Sequence, residues 1–214
     1  MSKNVQIDFW KGDFGKKYTD RCSFSVKEWD RDYKKKYGKT RIEMNRDFVG
    51  KFSKDARILE IGCNTGMQLR DLQRMGFKNL YGIELQPYAV ELSKKYVKGI
   101  NIICGSGFDI PFKDGFFDVV CTSGVLIHIA PKNLSKIMSE MYRCSKKYIW
   151  GFEYYAQKIT DIDYRGHKNR LWKADYASMF KKNFPDLKLV KKEFYKYIDN
   201  SKNIDSMYLF KKYK

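Results

Sequence analysis

At 214 residues, 43% of them hydrophobic and with a net charge of +18, the chain is long enough to bury one α/β core plus a modest extra piece without staples. No run stays apolar for the ~20 residues of a membrane span, and the opening MSKNVQIDFWKGDFG lacks the apolar stretch of a signal peptide. A cytoplasmic protein with no membrane span is expected. Cys22, Cys63, Cys104, Cys121 and Cys144 form neither a CxxC pair nor an even framework, which predicts reduced, mostly buried thiols and no metal set. The charge raises nucleic acid as a partner, because lysines neutralise phosphates. Yet 33 of the 43 basic residues are lysine and only 10 arginine, scattered rather than gathered in an arginine-rich, aromatic-laced block. A solvated lysine surface explains the charge as well as RNA does.

Residues 1–40 are rich in aromatics and charge and poor in aliphatic periodicity, which suits a cap over a cleft in a domain spanning 41–214. Trp10, Phe14, Tyr18 and Arg21 are spaced by four, four and three, so part of the cap can be helical with one aromatic face. That face packs on the domain or touches a ligand. Residues 40–52 predict a helix with Thr40 as N-cap and Ile42, Phe48, Val49 and Phe52 as its apolar stripe.

The stretch 57–84 then reads as a strand (57–61), a glycine-bracketed turn (62–66), a helix (67–75) and a second strand (80–84), one βαβ unit of dinucleotide-fold type. Gly62 and Gly66 let the backbone turn sharply beside a ligand, and the helix aims free N–H groups at the same place. Glu84, eighteen residues after Gly66, is positioned to grip both hydroxyls of a ribose. The charge of the turn narrows the nucleoside. Glu60 ends the first strand and Asn64 replaces the middle glycine of a phosphate-binding turn, so a carboxylate would repel pyrophosphate and suit a cation. S-adenosyl-L-methionine fits; NAD or another nucleotide is the alternative, and a glycine turn without ligand the plainest.

Beyond it come a helix (87–96), a short strand (101–104), a loop (105–115), a strand (117–121) and a turn into 125–129. The loop lies where Ser106 can pair with an adenine and Phe108 can stack on it, unless either is loop filler. An amphipathic helix (131–144) and a strand (147–153) follow. The segment 153–177, EYYAQKITDIDYRGHKNRLWKADYA, is chemically dense and reads as lying between elements. Residues 187–197 and 206–212 alternate as an antiparallel hairpin.

The segments FWKGDFGKKYTDR (9–21), ILEIGCNTGMQL (58–69), YGIELQP (81–87), SGVLIHI (123–129), EYY (153–155), YRGHKNRLWKADYA (164–177) and FPDLKLV (184–190) resemble the class I S-adenosylmethionine-dependent methyltransferases. Within them the chain is most similar to the pseudaminic acid biosynthesis-associated methylases. It departs from that group near its end, at Asn203-Ile204-Asp205-Ser206, where the group tends to a Gln-Asp-Asp-like run. The resemblance implies an α/β fold, a doubly wound, mostly parallel seven-stranded Rossmann-like sheet of order 3-2-1-4-5-7-6, with the C-terminal hairpin antiparallel. It implies methyl transfer, and the group's tie to surface-sugar pathways suggests a sugar hydroxyl on a cell-surface or virion-type glycan or a nucleotide sugar.

Cofactor contacts are then expected from Glu60, Gly62, Asn64, Gly66, Glu84 and Leu85. The loop and fourth strand would add Ser106, Gly107, Phe108 and Ser123, and the cap Tyr18 and Arg21. A general base would help remove the hydroxyl proton, and His128, His167 and Glu153 are the candidates. Either histidine can instead be a packed or exposed bystander. Arg165 and Arg170 can fork onto an acceptor anion, and Tyr154, Tyr155, Tyr164 and Trp172 offer flat faces for a sugar. No carboxylate cluster points to a metal. Two other classes stay open: an RNA or protein methyltransferase, against whose exocyclic-amine chemistry Thr122-Ser123-Gly124 argues, and a non-catalytic nucleoside-binding module.

Overall fold

The computed structural model describes residues 5–213, so the first four residues of the expected 1–40 cap and the last residue of the chain lie outside the described residues. Helices α1 (Val5–Lys11), α2 (Asp13–Arg21), α3 (Val26–Tyr37) and α4 (Arg41–Val49) precede β1 (Arg57–Ile61). Then come α5 (Met67–Arg74), β2 (Asn79–Glu84), α6 (Pro87–Tyr96), β3 (Asn101–Cys104) and β4 (Phe117–Ser123). After β4 run α7 (Leu134–Cys144), β5 (Ser145–Tyr154), β6 (Thr160–Tyr164), β7 (His167–Lys173), α8 (Tyr176–Asn183), β8 (Leu187–Lys196) and β9 (Ile204–Lys212).

Seven strands form one sheet of order β3-β2-β1-β4-β5-β9-β8. Neighbours from β3 to β5 pair parallel, whereas β9 runs antiparallel to both β5 and β8. The expected order 3-2-1-4-5-7-6 needs correcting in its last two numbers, because residues 160–173 are two further strands in a sheet of their own. That ribbon was hidden by polarity, since most of its side chains face water. Its signature is the two-residue turn Arg165-Gly166, with φ of 55° and 80°, the left-handed pair that matches strand twist in a tight hairpin.

Alternation along the strands splits the core in two. Leu59, Ile61, Ile83 and Val120 pack under α7 and α8 on one face; Ile58, Leu80, Val119 and Cys121 pack under α3, α4 and α5 on the other. Both faces are covered, as a parallel sheet requires. Thr40 caps α4 in a reciprocal box with Glu43. The apolar stripe of α4 differs from expectation: Met44, Phe48 and Val49 are buried while Ile42 is only partly so, and Arg41 and Asn45 are buried beside them.

The aromatic stretch of the cap is two helices broken at Gly12, whose extended backbone ends α1. The break folds Trp10 back onto α2, edge-on to Phe14 at 5.5 Å and to Tyr18 at 5.2 Å. This return demands a glycine: a Cβ at Gly15 would lie 1.8 Å from the Trp10 carbonyl oxygen. Two glutamines bind the cap to the carboxyl end of the sheet. Gln86 Nε2 donates to the carbonyls of Trp10, Lys11 and Gly12 at 3.1, 2.8 and 3.2 Å, where α1 ends. Gln6 donates to the His128 carbonyl at 2.8 Å and accepts from Ala130 N–H at 2.9 Å. Among the described residues, no helix is long and apolar enough to cross a membrane.

Candidate active site

Cap and sheet enclose a pocket of about 560 Å³ over the carboxyl ends of the strands, where an open α/β sheet binds its ligands. The turn after β1 has Gly62, Asn64 and Gly66 in left-handed backbone, and Gly66 caps α5. Glu84 holds the turn: Oε2 accepts from Asn64 N–H at 2.8 Å and Oε1 from Gln86 N–H at 2.8 Å. A carboxylate accepts about four hydrogen bonds, so each oxygen keeps a lone pair for a ligand. Burial pushes the Glu84 carboxyl up, and the backbone N–H groups of Gln86, Asn64 and Leu85 oppose the shift.

Glu60 lines the same pocket, 3% exposed. Burial pushes its carboxyl well above the usual range; the Arg41 guanidinium opposes this, whereas Glu84 and Asp71 add to it. Arg41 is itself buried, with Nε on Asn45 and Gln68, Nη2 on Ser123 Oγ at 3.1 Å and its face on the Phe152 ring at 4.2 Å. Nothing in the sequence around Arg41 distinguishes it from a solvated helix residue; only the tertiary contacts do. Among the described residues, three buried polar atoms of the pocket lining have no hydrogen-bond partner: Glu60 Oε2, Asn64 Oδ1 and Trp10 Nε1. Two acceptors beside a second carboxylate fit the ammonium and ribose of a nucleoside that bears an amino-acid end, and they disfavour a pyrophosphate.

Leu85, Ser106, Gly107, Phe108 and Ser123 line the pocket as expected, and so does Tyr18 from the cap. Ser106 Oγ accepts from Phe108 N–H at 3.2 Å, which leaves its O–H to donate. Gly66 instead underlies the turn, where its Cα faces Ile102 and Val97. Arg21 is exposed, 5.8 Å over the Phe14 ring, and does not line the pocket.

The candidate bases separate cleanly. His128 lines the pocket, ringed by Trp10 at 4.5 Å, Tyr164 at 5.2 Å and Tyr18 at 6.5 Å between centroids. Its Nδ1 is 2.9 Å from the Arg170 carbonyl, which can only accept, so Nδ1 carries the proton and Nε2 the lone pair. Burial pulls its pKa down to about 4, so the ring is neutral near pH 7. Glu153 does not reach the pocket. It is 1% exposed, and its oxygens accept from the N–H groups of Val125 and Ile127, both at 3.3 Å. It thus underpins the 3₁₀ turn Leu126–His128, and burial raises its pKa to about 7. His167 is exposed, edge-on to Phe9 and Phe14 at 5.1 and 5.3 Å, outside the pocket lining.

The acceptor-side candidates divide into pocket-lining and packing residues. Tyr154, Tyr164 and Arg165 line the pocket. Tyr155 points away onto Phe194 at 4.6 Å, Arg170 lies over Phe9 at 4.7 Å, and Trp172 is buried in the core. Those three are corrected from ligand contacts to packing residues. Reasoning from sequence missed Gln6, Gln86, Arg41 and the pocket-lining Tyr37, Tyr197 and Asp205, which come from distant elements. Among the described residues, no group of His, Cys, Asp and Glu could hold a metal ion.

Residues 59–148 match the family model of a methyltransferase domain. Among curated proteins, 24-methylenesterol C-methyltransferase 2 of Arabidopsis thaliana is 30% identical over 96 residues, 42% of this chain and 26% of that protein. EEF1A lysine methyltransferase 2 of Danio rerio is 37% identical over 82 residues, 32% of this chain and 35% of that one. The matched stretches span 26% to 42% of the curated relatives' own length. Magnesium protoporphyrin IX methyltransferase (ChlM) of Synechocystis PCC 6803, solved with bound SAM, shares the fold over 100% of both chains, with a TM-score of 0.72 at 12% identity. Residues 59–148 thus carry the match to a methyltransferase domain, and the likeness to ChlM is one of fold. The two support S-adenosyl-L-methionine as the chain's cofactor.

Proposed function

We propose that the chain is an enzyme that O-methylates a sugar hydroxyl, with residues 1–40 as the cap and 41–214 as the methyltransferase domain, acting in the cytoplasm. The observation that carries this reading is a neutral His128 with its Nε2 lone pair free, in a pocket that also holds the Glu60 and Glu84 carboxylates. Glu84 would take the ribose hydroxyls, Glu60 and Asn64 the amino-acid end, and Ser106 with Phe108 the adenine. S-adenosyl-L-methionine supplies a methyl group on a sulfonium, already a good leaving group, so positioning is the protein's main contribution. His128 Nε2 accepts the hydrogen bond of the acceptor hydroxyl and fixes its direction. As the new C–O bond forms, that O–H becomes strongly acidic, so an imidazole of low basicity suffices to take the proton. Trp10, Tyr18 and Tyr164 around it exclude water.

The resemblance of FWKGDFG and YRGHKNRLW to the pseudaminic acid biosynthesis-associated methylases supports a sugar or nucleotide-sugar acceptor, and Tyr154 and Tyr164 in the pocket lining suit a sugar ring. The +18 charge, and a lysine methyltransferase among the relatives, favour RNA or protein as the second reading. Incubation with methyl-labelled cofactor and separate panels of nucleotide sugars, glycans, RNA and protein decides between them. Label on a sugar oxygen is the expected result; label in RNA or protein alone overturns it.

A further inference from the structure

The pocket continues past the residues that cofactor and base require. Glu84 ends β2 and Asp205 opens β9, four strands apart in the order β2-β1-β4-β5-β9, a distance of about 19 Å at roughly 4.8 Å per strand. The cofactor-side residues sit on β1, β2 and β4. The remaining width, over β5 and β9, is about 10 Å, enough for one sugar ring.

That end is lined by Tyr37 from α3, Tyr154 from β5, Tyr197 just after β8, and Asp205. Asp205 Oδ2 accepts from the hydroxyls of Tyr37 and, at 3.2 Å, Tyr197, while Oδ1 has only a long 3.5 Å approach from Tyr197. Among the described residues, no cation forms an ion pair with this carboxylate, and Lys36 and Arg41 act on it only at longer range. Lys36 lies instead over the Tyr37 and Tyr197 rings, at 5.7 and 5.3 Å, and reaches Asp32 at 3.8 Å. An acid that is 2% exposed, and whose pKa burial raises to about 6, is a costly way to join α3 to the sheet. An apolar side chain would do that better. A pocket-lining carboxylate whose two tyrosine partners crowd one oxygen, and whose other oxygen has only a long approach from Tyr197, has the form of a reader of hydroxyl donors. The tyrosine faces around it supply the flat apolar contact that a ring's C–H face needs.

Resting on the sugar reading above, we infer that Tyr37, Tyr154, Tyr197 and Asp205 form the acceptor subsite, in which Asp205 accepts hydrogen bonds from the non-reacting hydroxyls of a single polyol ring. Asp205 thereby sets which ring is held, and Tyr37 and Tyr197 are positioning residues that orient its carboxylate.

The test is saturation-transfer NMR on the full chain loaded with S-adenosylhomocysteine. The probes are glucose, galactose, mannose and myo-inositol, against tetrahydropyran-2-methanol, a ring that lacks ring hydroxyls. At least one polyol should bind and the hydroxyl-poor ring should not. Asp205→Asn should weaken the bound polyol at least tenfold while the calorimetric affinity for S-adenosylhomocysteine stays within twofold. Tyr197→Phe, which keeps the carboxylate, should weaken it severalfold and serves if Asp205→Asn does not fold. No polyol binding, equal binding of the hydroxyl-poor ring, or folded variants that hold the polyol like wild type would each overturn the subsite. Failure of the wild-type protein to bind S-adenosylhomocysteine would instead sink the function it rests on, and the subsite with it.

Discussion

Replacing Glu84 by Gln tests the ribose contact and the turn in one variant. The wild-type carboxylate spends two acceptor positions on Asn64 and Gln86 N–H, both at 2.8 Å, and keeps two for the ribose. Glutamine has one oxygen and one NH₂, so one of the two backbone donors or one ribose hydroxyl must face a donor. A hydrogen bond to a charged partner contributes about 1.5–3 kcal/mol, which predicts a 10- to 150-fold rise in the Kd for S-adenosylhomocysteine. If the amide turns its nitrogen toward the backbone, the loss falls on stability, at about 2–4 °C of Tm per kcal/mol for a chain of this size. Calorimetric titration and a thermal melt on the same sample separate the two. A folded variant with both Tm and Kd at wild-type values would refute the reasoning, because neither the turn nor the ribose would then depend on the second carboxylate oxygen.

His128→Asn should lower turnover on the identified acceptor by about 100-fold or more and leave S-adenosylhomocysteine affinity within twofold; wild-type turnover would remove the histidine from the chemistry. Gly15→Ala inserts a Cβ 1.8 Å from the Trp10 carbonyl oxygen, a clash of about 1–3 kcal/mol that should part α1 from α2. Proteolysis confined to the cap should then quicken, and unchanged digestion would mean that the return at Gly12 does not need the close approach. Glu153 is raised from an ordinary carboxyl value near 4.5 to about 7, so the native state holds a proton that the unfolded chain releases. Its contribution, about 3 kcal/mol in full, is complete below about pH 4.5 and is lost as pH rises through 7. Glu153→Gln should flatten that fall in thermal melts from pH 5 to 8, and profiles parallel to wild type would reject the assignment.

The two sides of the site were unequally legible. Strand, glycine turn and Glu84 lie within 28 residues, and the local rules of period, turn and helix start act over that distance, so the cofactor end could be read directly. Of the residues mistaken for ligand contacts, Arg170 and Trp172 lie in the ribbon β6–β7, where exposure on most positions erased the apolar alternation that would have fixed their facing, and Tyr155 follows the end of β5, where its packing on Phe194 of β8 is a tertiary contact. Glu153 was misread for a related reason: a carboxylate at a strand end resembles a site residue until the backbone it supports is known.

The sequence alone determined the βαβ start, the acids that flank its glycine turn and the antiparallel C-terminal hairpin, because each depends on neighbours along the chain. Tertiary structure decided which histidine lines the pocket, that Gln6 and Gln86 bind the cap to the sheet, and that Tyr37, Tyr197 and Asp205 meet. Those contacts join residues up to 168 positions apart, and no local periodicity carries information across such a separation; only the crossing of strands in the sheet brings them together.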